Sequence, residues 1–585
     1  MVTVLPSNKI PSWMLNDYIR LRAYFGEKPF TVEDASKVLE RPVDSVITLL
    51  SNLRRHNLVV VAVDPDNPKK KIYSLRQIPV TRGDLESILK KAADLIRTRV
   101  DYSFILVLLF YKKISDQWKL EFQKTYKELI EEGYSPEEAK ELARDKYFHQ
   151  FQIPEEYLWD NIVKHKGELH VYFSRALKKL GELNPELRPI FDNFDFHIFA
   201  SSKENSEILR QLVELFDSVP LIDTPPDILG DAYEWLLMMF APEKAKEGEV
   251  YTPREVIRLL VEILDPKPGD KILDPAAGSG GMLIISYKYV EEKYGREEAD
   301  KLFLFGQEVN AKTAALAKMN MYIHNIQNHK IEVGDSLLYP KFGLEEWDIV
   351  IANPPWNQDG YNEQVLKKNE KYRLIYKYGY TPSQHADWAW IQLMLAAAKP
   401  RGKVGIVIDN GALFRGGREK TIRSKILERD LVEAVILLPE KLFYNTQAPG
   451  VIIIFNKQKP PERKGKILFI NASNEYEPHP SIRRLNRLGR KNIEKIARAY
   501  HEFKDIEGFT RVVDIKEVRE NDFNLNVTLY VTPPLETEEI DLEKELQELL
   551  EIEKQAMEAR AKALQYIQQI IRANKGEAKN ADENT

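Results

Sequence analysis

Strands and helices alternate along the second half of the chain, and this alternation constrains the fold more than any other feature. Between about Gly248 and Lys457 the sequence predicts seven short apolar strands separated by helical or loop segments. They are Lys271–Leu273, Leu302–Phe305, Ile331–Val333, Asp348–Ala352, Val404–Ile408, Val432–Leu438 and Val451–Phe455, with a further strand at Lys466–Asn471. This pattern is typical of a mostly parallel sheet flanked by helices, which binds ligands at the carboxyl ends of its strands.

A glycine-rich turn, Asp274 to Gly281 (DPAAGSGG), follows the first strand, and a helix is predicted from Met282 to about Lys293. Glycines let the backbone approach a ligand, and the start of a helix supplies free N–H groups and a partial positive charge. The turn lacks the Gly-Lys-Ser/Thr ending of a phosphate loop, and its spacing is not that of the dinucleotide fingerprint. It also contains no lysine that could meet a triphosphate.

Acidic residues end the next two strands. Glu308 lies about 34 residues after Asp274, where a carboxylate can accept both hydroxyls of a ribose. Asp335, followed by Ser336, ends the third strand, where it can meet an exocyclic adenine amine. Each acid alone also fits a helix cap or a solvated loop. Their order along the chain strengthens the prediction of one shared site.

The fourth strand runs directly into Asn353-Pro354-Pro355-Trp356. Such a tetrapeptide suits the holding of a planar amine for methylation, because the Asn353 side-chain oxygen and the Pro354 carbonyl can each accept an N–H bond and free the nitrogen lone pair. The two prolines fix the backbone, and Trp356 offers a flat face for an extruded base. An ordinary proline-rich turn after a strand is the alternative interpretation.

Together these residues resemble the S-adenosylmethionine-dependent amino-methyltransferases. From about Leu85 to Val531 the sequence is similar to the modification subunits of Type I restriction-modification systems. The motifs that carry the resemblance are Gly248 to Pro253 (GEVYTP), the Asp274 to Met282 turn, Gln307-Glu308, Gly334-Asp335, Asn353 to Trp356, Asp387 to Trp390 (DWAW), Asn410 to Gly417 (NGALFRGG) and Leu438 to Thr446 (LPEKLFYNT). The last two separate this family from other methyltransferases.

The resemblance implies a Rossmann-like α/β fold with a mostly parallel seven-stranded sheet, and S-adenosylmethionine as the cofactor. It implies that Asn353, Pro354, Pro355 and Trp356 are catalytic, and that the cofactor-binding residues are Glu249, Val250, Tyr251, Thr252, Pro253, Asp274, Ala276, Gly278, Ser279, Gly280, Gly281, Glu308, Asp335 and Ser336. Because the cofactor turn precedes the catalytic tetrapeptide, the motif order resembles the gamma class. Trp356 departs from the Phe or Tyr of many adenine enzymes, so we expect a different pocket size and the same chemistry.

The activity that follows is site-specific adenine-N6 methylation of double-stranded DNA. The resemblance also implies a specificity subunit as partner, a second modification subunit in the complex and a restriction subunit that can attach. Three alternatives stay open on the residues alone: cytosine-N4 methylation of DNA, glutamine-N5 methylation of a protein, and a noncatalytic assembly protein with a relic fold.

Five regions are expected along the 585 residues. Residues 1–80 read as a winged-helix unit, 85–240 as the helical N-terminal domain of the modification subunits, and 245–531 as the catalytic domain. Residues 535–575 predict a coiled-coil-like helix with apolar residues spaced by seven, which would dock on the specificity subunit. Residues 576–585 are expected to be disordered.

Composition limits which disulfide or metal sites, which cellular location and which DNA-contact segments this chain can have. The chain contains no cysteine, which excludes disulfides and thiolate zinc sites, and its histidines show no metal-ligand spacing, so no metal is expected. It has no long apolar run and no arginine-rich leader, so we expect a cytoplasmic protein. The net charge of −5 requires DNA contacts to come from local patches. The candidates are the basic segment Ser481 to Tyr500 and the segment Tyr361 to Tyr380, in which tyrosines alternate with basic residues; each is equally a solvated surface segment.

Overall fold

The computed structural model describes residues 12–26, 28–64, 67, 70–76, 80–96, 99–219, 221, 224–246, 251–444, 446–480, 482–532 and 542–581. Two compact units divide the chain, Met1–Thr532 and Pro533–Thr585. None of the helices in the described part of the chain is long and apolar enough to cross a membrane.

The amino-terminal region consists of three helices and a two-stranded wing. The helices are α1 (Ser12–Phe25), α2 (Val32–Leu39) and α3 (Val43–Arg55), and the strands β1 (Val59–Val63) and β2 (Lys71–Leu75) pair antiparallel. Thr31 begins α2 through a capping box, because its hydroxyl accepts the N–H of Asp34 while the Asp34 carboxylate accepts the N–H of Thr31. The arrangement agrees with the expected winged helix, although part of the predicted turn at Asp64 to Pro68 lies outside the described residues.

The next region is helical. Its helices are α4 (Arg82–Ile96), α5 (Ser103–Glu131), α6 (Pro136–Leu142), α7 (Trp159–Ile162), α8 (Leu169–Leu183), α9 (Arg188–Phe191), α10 (Lys203–Asp217) and α11 (Pro226–Lys246). From Phe104 to Tyr111 the first half of α5 is buried on all sides, and along its whole length α5 packs against α1, α4, α6, α7 and α10. The winged-helix unit and the helical region therefore share one hydrophobic core.

Nine strands of the catalytic region form one sheet, and two very short strands form a separate hairpin. The sheet strands are β3 (Lys271–Asp274), β4 (Phe303–Glu308), β5 (His329–Val333), β6 (Trp347–Ala352), β7 (Ala398–Asp409), β8 (Val432–Leu437), β9 (Gly450–Asn456), β10 (Lys466–Asn471) and β13 (Thr510–Asp514). The hairpin strands are β11 (Glu477–Pro478) and β12 (Asn486–Arg487). All seven predicted strands are present, so the expected fold is confirmed, and β10 and β13 extend the sheet from seven strands to nine.

The strand order in the sheet is β13-β10-β8-β9-β7-β6-β3-β4-β5. Five neighbouring pairs are parallel, whereas β9 runs antiparallel to both of its neighbours and β13 runs antiparallel to β10. From β3 the chain proceeds outward through β4 and β5, and it then returns to the other side of β3 as β6. This reversal creates a crevice at the carboxyl ends of β3 and β6, where open α/β sheets bind ligands.

Helices cover both faces of the sheet, so its strands read as nearly continuous apolar runs. Along β6, Ile349 and Ile351 lie in the core on one face, and Val350 and Ala352 lie in the core on the other. The helices of this region are α12 (Arg254–Leu264), α13 (Gly281–Tyr294), α14 (Arg296–Ala299), α15 (Ala311–Ile323), α16 (Glu363–Leu366), α17 (Tyr372–Ile375), α18 (Asp387–Ala397), α19 (Gly417–Leu427), α20 (Arg490–Glu502) and α21 (Ile515–Glu520).

The second unit contains a single described helix, α22 (Leu542–Ala581). Its heptad-spaced side chains Leu546, Leu549 and Ile567 are more than half exposed. The sequence predicted that this helix ends at residue 575, but it continues to Ala581. The expectation of disorder from residue 576 is therefore wrong for residues 576–581. Residues 535–541 and 582–585 of the predicted helix and tail lie outside the described residues.

Candidate active site at the carboxyl edge of the sheet

The loops after β3, β4, β5 and β6 surround one cavity of about 420 Å³ at the predicted edge of the sheet. Of the predicted residues, the cavity is lined by Tyr251, Ala276, Gly278, Ser279, Glu308, Asp335, Ser336, Asn353 and Pro355. Thr252, Asp274 and Gly281 line a smaller cavity that shares Ala276, Gly278 and Asn353 with the first. The sequence motifs therefore converge in space although 102 positions separate Tyr251 from Asn353.

The glycine-rich turn is tied to the end of β4. Gly278 has a φ of +51° and Gly280 a φ of +85°, backbone conformations that favour glycine. The N–H of Gly278 donates to Oε2 of Glu308 at 3.0 Å, and the N–H of Ala277 donates to the carbonyl of Gln307 at 3.0 Å. The turn and the Glu308 carboxylate are thus held in one fixed arrangement at the cavity.

Both predicted acids are oriented by main-chain donors. Oε1 of Glu308 accepts the N–H of Asn310 at 2.9 Å. Oδ1 of Asp335 accepts the N–H groups of Leu337 and Leu338 at 3.0 and 3.1 Å. Because backbone donors do not rotate, these carboxylates are positioned before any ligand arrives.

The second oxygen of Asp335 has a side-chain partner. The Tyr361 hydroxyl donates to Oδ2 of Asp335 at 2.8 Å, and Tyr361 itself lines the cavity. Burial and the adjacent Asp335 carboxylate raise the pKa of Tyr361, so its hydroxyl stays protonated at neutral pH. This part of the segment after the tetrapeptide therefore belongs to the site.

Other tyrosines of that segment do not behave as predicted. Tyr376 and Tyr378 are 3% and 6% exposed and pack in the core beneath the sheet. The Tyr376 hydroxyl donates to the carbonyl of Leu337 at 2.7 Å. These two side chains are part of the core next to the site. The expectation that the tyrosines of this segment contact DNA is therefore wrong for Tyr376 and Tyr378.

Asp274, at the end of β3, is a buried acid with an altered proton affinity. Its pKa is raised to about 8, mainly by burial; the N–H of Ala276, which donates to Oδ1 at 3.0 Å, opposes this rise, and the nearby Glu308 carboxylate adds to it. Asp274 is therefore largely protonated at pH 7 in this structure, and it holds the first residues of the turn.

The tetrapeptide Asn353 to Trp356, predicted to be catalytic, is held by side chains. The Asn353 amide nitrogen donates to the Thr252 hydroxyl at 2.8 Å, and the indole N–H of Trp356 donates to the Asn353 side-chain oxygen at 2.9 Å. The Trp356 ring meets Phe443 edge to face, with 4.8 Å between the ring centroids. The oxygen that the sequence assigns to the target amine is thus occupied by the tryptophan of the same tetrapeptide.

The remaining predicted residues lie behind the cavity or outside the described residues. Pro253 precedes α12 as its N-cap, and Pro354 is buried. A Cβ at Gly280 would meet the side chains of Met321 and Ala317, at 3.0 and 3.6 Å. The space beside Gly280 is therefore filled by side chains of α15, and the contact of Gly280 with the cofactor stays a prediction. Glu249 and Val250 lie outside the described residues.

Several lining residues were missed from the sequence. Tyr102, Leu237 and Ala241 come from the helical region, and Gln358 and Trp390 come from the segments after β6 and at the start of α18. Trp390 donates its indole N–H to Oε1 of Gln358 at 3.0 Å. Trp390 belonged to a recognised motif and could have been singled out, but no local signal marks the helical-region residues.

Arg415 connects three of the motifs behind the tetrapeptide. Its guanidinium pairs with the carboxylates of Asp387 at 2.7 Å, Asp409 at 2.6 Å and Glu419 at 3.1 Å, and it donates to the side-chain oxygen of Asn357. Asn357 directly follows Trp356. Charge-assisted bonds of this kind fix geometry strongly, so the loops after β6 and β7 form one braced structure.

The residues at the cavity fit S-adenosylmethionine. The volume lies within the range of roughly 300–1,000 Å³ that small-molecule sites occupy. The Glu308 carboxylate faces the cavity and can accept ribose hydroxyls, Asp335 can accept an amine, and the backbone of the turn approaches closely because Gly278 carries no side chain.

Comparison with known proteins gives a consistent result. The sequence model of the N-6 DNA Methylase family matches residues 224–539, and that of the HsdM N-terminal domain matches residues 85–216. The chain is 48% identical to the Type I restriction enzyme MjaVII methylase subunit of Methanocaldococcus jannaschii, over 94% of this chain and 96% of the relative. It is 44% identical to the MjaVIII methylase subunit of the same organism, over 95% of this chain and 97% of the relative.

Among solved structures, the chain resembles the methyltransferase subunit of the type I restriction-modification system from Streptococcus thermophilus, with a TM-score of 0.66 and 27% identity over 77% of this chain and 100% of the other. The fold, the motifs and these relatives agree on a single assignment. The chain belongs to the N-6 DNA methylase family, among the methylase subunits of Type I restriction enzymes, and is an S-adenosylmethionine-dependent adenine-N6 DNA methyltransferase.

Proposed function

We propose that the cavity at the carboxyl ends of β3 and β6 is where methyl transfer takes place, with Asn353 and Pro354 as the groups that hold the target amine. The observation that carries this proposal is the orientation of the Asn353 carboxamide: its nitrogen donates to Thr252, and its oxygen, which accepts the indole N–H of Trp356, keeps a second lone pair for another donor. An amide oriented in this way presents an acceptor and no competing donor to an incoming N–H group.

The chemistry requires acceptors more than a base. The exocyclic nitrogen of adenine is conjugated with its ring, so its lone pair is a poor nucleophile until two N–H bonds pull the nitrogen toward tetrahedral geometry. The Asn353 oxygen and the Pro354 carbonyl accept these bonds, and the methylated nitrogen then loses a proton to solvent. S-Adenosylmethionine, when bound, supplies the electrophilic methyl group.

The cofactor roles follow the cavity. Glu308 would accept the ribose hydroxyls, Asp335 the adenine amine, and Ser279 would present its backbone to the cofactor. Tyr251 and Thr252 close the side of the cavity nearest Asn353, with Tyr251 packed edge to face on Tyr444 at 5.7 Å. Glu249 and Val250, outside the described residues, stay predicted cofactor contacts.

The target base would stack on Trp356. In the absence of a base, Trp356 lies edge to face on Phe443, and the two rings form one apolar wall beside Asn353. An extruded base has two faces to cover, and aromatic side chains are well suited to this. Trp356 must move away from the Asn353 oxygen, or share it, when the base enters.

Double-stranded DNA would meet the basic segment Ser481 to Tyr500, which includes β12 and most of α20. Three of its cations already pair with acids, namely Arg487 with Glu477, Arg490 with Glu494 and Lys495 with Glu475. Arg483, Arg484, Lys491 and Arg498 are exposed. We assign phosphate contacts to these four residues, since unpaired surface cations supply most nonspecific affinity for DNA.

The specificity subunit would bind α22. The exposed seam of Leu546, Leu549 and Ile567 needs an apolar partner, since a helix with so polar a surface gains little by itself. Leu546→Glu with Leu549→Glu should abolish copurification of the specificity subunit, whereas the matched polar-face changes Gln547→Glu and Gln555→Glu should leave it intact. Equal copurification of both pairs would refute this docking site.

One experiment tests the function itself. DNA incubated with this chain and S-adenosylmethionine, with and without the neighbouring-gene specificity subunit, is analysed by single-molecule methylome sequencing. We expect N6-methyladenine at one sequence, and only when the specificity subunit is present. The active complex is expected to contain a second methylase subunit, and a restriction subunit can attach to it. Methylation of cytosine, or none in either condition, would contradict the proposal.

A further inference from the structure

The loop between β7 and α19 presents an exposed aromatic side chain. Phe414 is 46% exposed, whereas Ala412 and Leu413 just before it are fully buried. Gly416 and Gly417 follow, and a side chain at either position would meet no neighbouring atom within 4 Å. A single exposed phenylalanine is common on protein surfaces, so its exposure alone has no meaning.

What distinguishes this loop is how firmly it is held. Arg423, 1% exposed, donates to the carbonyl oxygens of Ala412 and Arg415 at 3.2 and 3.0 Å. The indole N–H of Trp388 also donates to the Ala412 carbonyl, at 3.0 Å. Burying a guanidinium is costly unless its donors are satisfied, and here the donors are satisfied by the main chain on both sides of Phe414.

The same loop is joined to the catalytic tetrapeptide. Arg415, the next residue after Phe414, donates to the side chain of Asn357, which directly follows Trp356. Arg415 is held in turn by the buried carboxylate of Asp387 at 2.7 Å. The position of Phe414 is therefore fixed relative to the residues that receive the base.

We propose that Phe414 is a wedge that enters the DNA duplex and fills the space left by the target adenine. This inference rests on the proposed function, in which the adenine leaves the stack to reach Asn353. The vacated space exposes apolar base faces, and apolar side chains inserted between base steps keep a duplex open in this way. A phenyl ring on a firmly held main chain, joined through Arg415 to the loop after Trp356, has the required chemistry, and Gly416 and Gly417 add no side chain that would obstruct it.

The test compares the wild-type complex with Phe414→Ala and Phe414→Leu variants, each with its specificity subunit. Two duplexes carry the methylated sequence: one is fully paired, and in the other the target adenine faces an abasic position. Phe414→Ala should slow single-turnover methylation of the paired duplex by roughly 10- to 100-fold, because the space left by the extruded adenine is then no longer filled. On the abasic duplex, where no base pair must open, its rate should return to within a few-fold of wild type. On the paired duplex, the methylation rate of Phe414→Leu should fall between those of wild type and Phe414→Ala.

Two controls keep the result interpretable. Tyr294→Ala removes an aromatic side chain of similar exposure, 39%, at the end of α13 and should change neither rate. Cofactor affinity by isothermal titration should be equal in wild type and Phe414→Ala, which shows that the site is folded. Equal slowing on both duplexes, or no slowing on either, would overturn the wedge. A wild-type complex that methylates neither duplex would instead refute the proposed function, and the wedge with it.

Discussion

The two halves of the proposed active site are built differently. In the half proposed to bind the cofactor, the cofactor half after β3, β4 and β5, main-chain N–H groups hold the carboxylates of Glu308 and Asp335. In the half proposed to receive the base, the base half after β6, side chains hold one another, with Trp356 donating to Asn353 and Asn353 donating to Thr252. A main-chain donor cannot leave without local unfolding, whereas a side chain can rotate. The cofactor half is therefore ready for its ligand, and the base half must rearrange.

The largest effect is expected from a substitution that removes the Asn353 side-chain oxygen, the acceptor of the base half. Asn353→Ala should reduce the methylation rate by several powers of ten, because the target nitrogen loses the bond that frees its lone pair. Cofactor affinity by isothermal titration should stay close to wild type, since the cofactor half is held by its own backbone. Near wild-type methylation by this variant would refute the assigned mechanism.

The converse change should disable the cofactor half. Gly280→Asp places a side chain where φ is +85° and where a Cβ would lie 3.0 Å from Met321, so the turn must shift and the heat of cofactor binding should disappear. Gly269→Asp is the matched control, because Gly269 has a φ of +84° and no neighbouring atom within 4 Å. If both variants bind the cofactor equally well, close packing at Gly280 does not shape the site.

A smaller effect is expected from the bond that occupies the Asn353 oxygen. Trp356→Phe keeps an aromatic face and removes the indole N–H, so it should raise kcat/KM for DNA by about 2- to 10-fold, the equivalent of one net hydrogen bond of about 0.5–1.5 kcal/mol. Trp356→Ala also removes the stacking surface and should lower kcat/KM. A slower Trp356→Phe enzyme would show that the indole N–H assists the reaction instead of competing with the base.

The last prediction concerns stability, with no change in rate expected, and rests on proton binding in the cofactor half. The pKa of Asp274 is raised by burial from 3.8 to about 8, so between about pH 4 and pH 8 the folded protein retains a proton that the unfolded chain releases. The free energy of unfolding should therefore fall as pH rises through this window, by at most about 1.4 kcal/mol per pH unit. Asp274→Asn lacks this titration, and its stability advantage over wild type in denaturant unfolding without cofactor should widen toward pH 8. Parallel pH profiles would contradict the raised pKa.

The cofactor half was also the easier half to predict from the sequence. Strands covered on both faces leave continuous apolar runs, and the turn from Asp274 leaves a local glycine signature, so both could be located without coordinates. The strand β13 was missed because only Thr510 and Val513 of its five residues are buried. A short, half-exposed segment carries little hydrophobic signal.

The base half depends on side-chain rotamers and distant contacts, which no local pattern encodes. The sequence predicted that Trp356 would offer a stacking face near Asn353. It could not predict that the indole N–H would point at the Asn353 oxygen. Nor could it separate Tyr361, which meets Asp335 at the cavity, from Tyr376, which is buried in the core. Both tyrosines stand in the same interleaved pattern, and only packing distinguishes them.

The wall that Tyr102, Leu237 and Ala241 contribute to the cavity has a thermodynamic consequence. The ring of Tyr102, which directly precedes α5, stacks on Phe240 of α11 with centroids 4.3 Å apart, so this wall belongs to the helical region, whereas the rest of the cavity belongs to the region of the sheet. A ligand that touches both regions binds only their docked form, and by linkage it stabilises that form in proportion to the logarithm of its concentration. The concentration of the methyl donor would thereby determine the stability of the docked helical region. The resistance of the subunit to proteolysis would change with it.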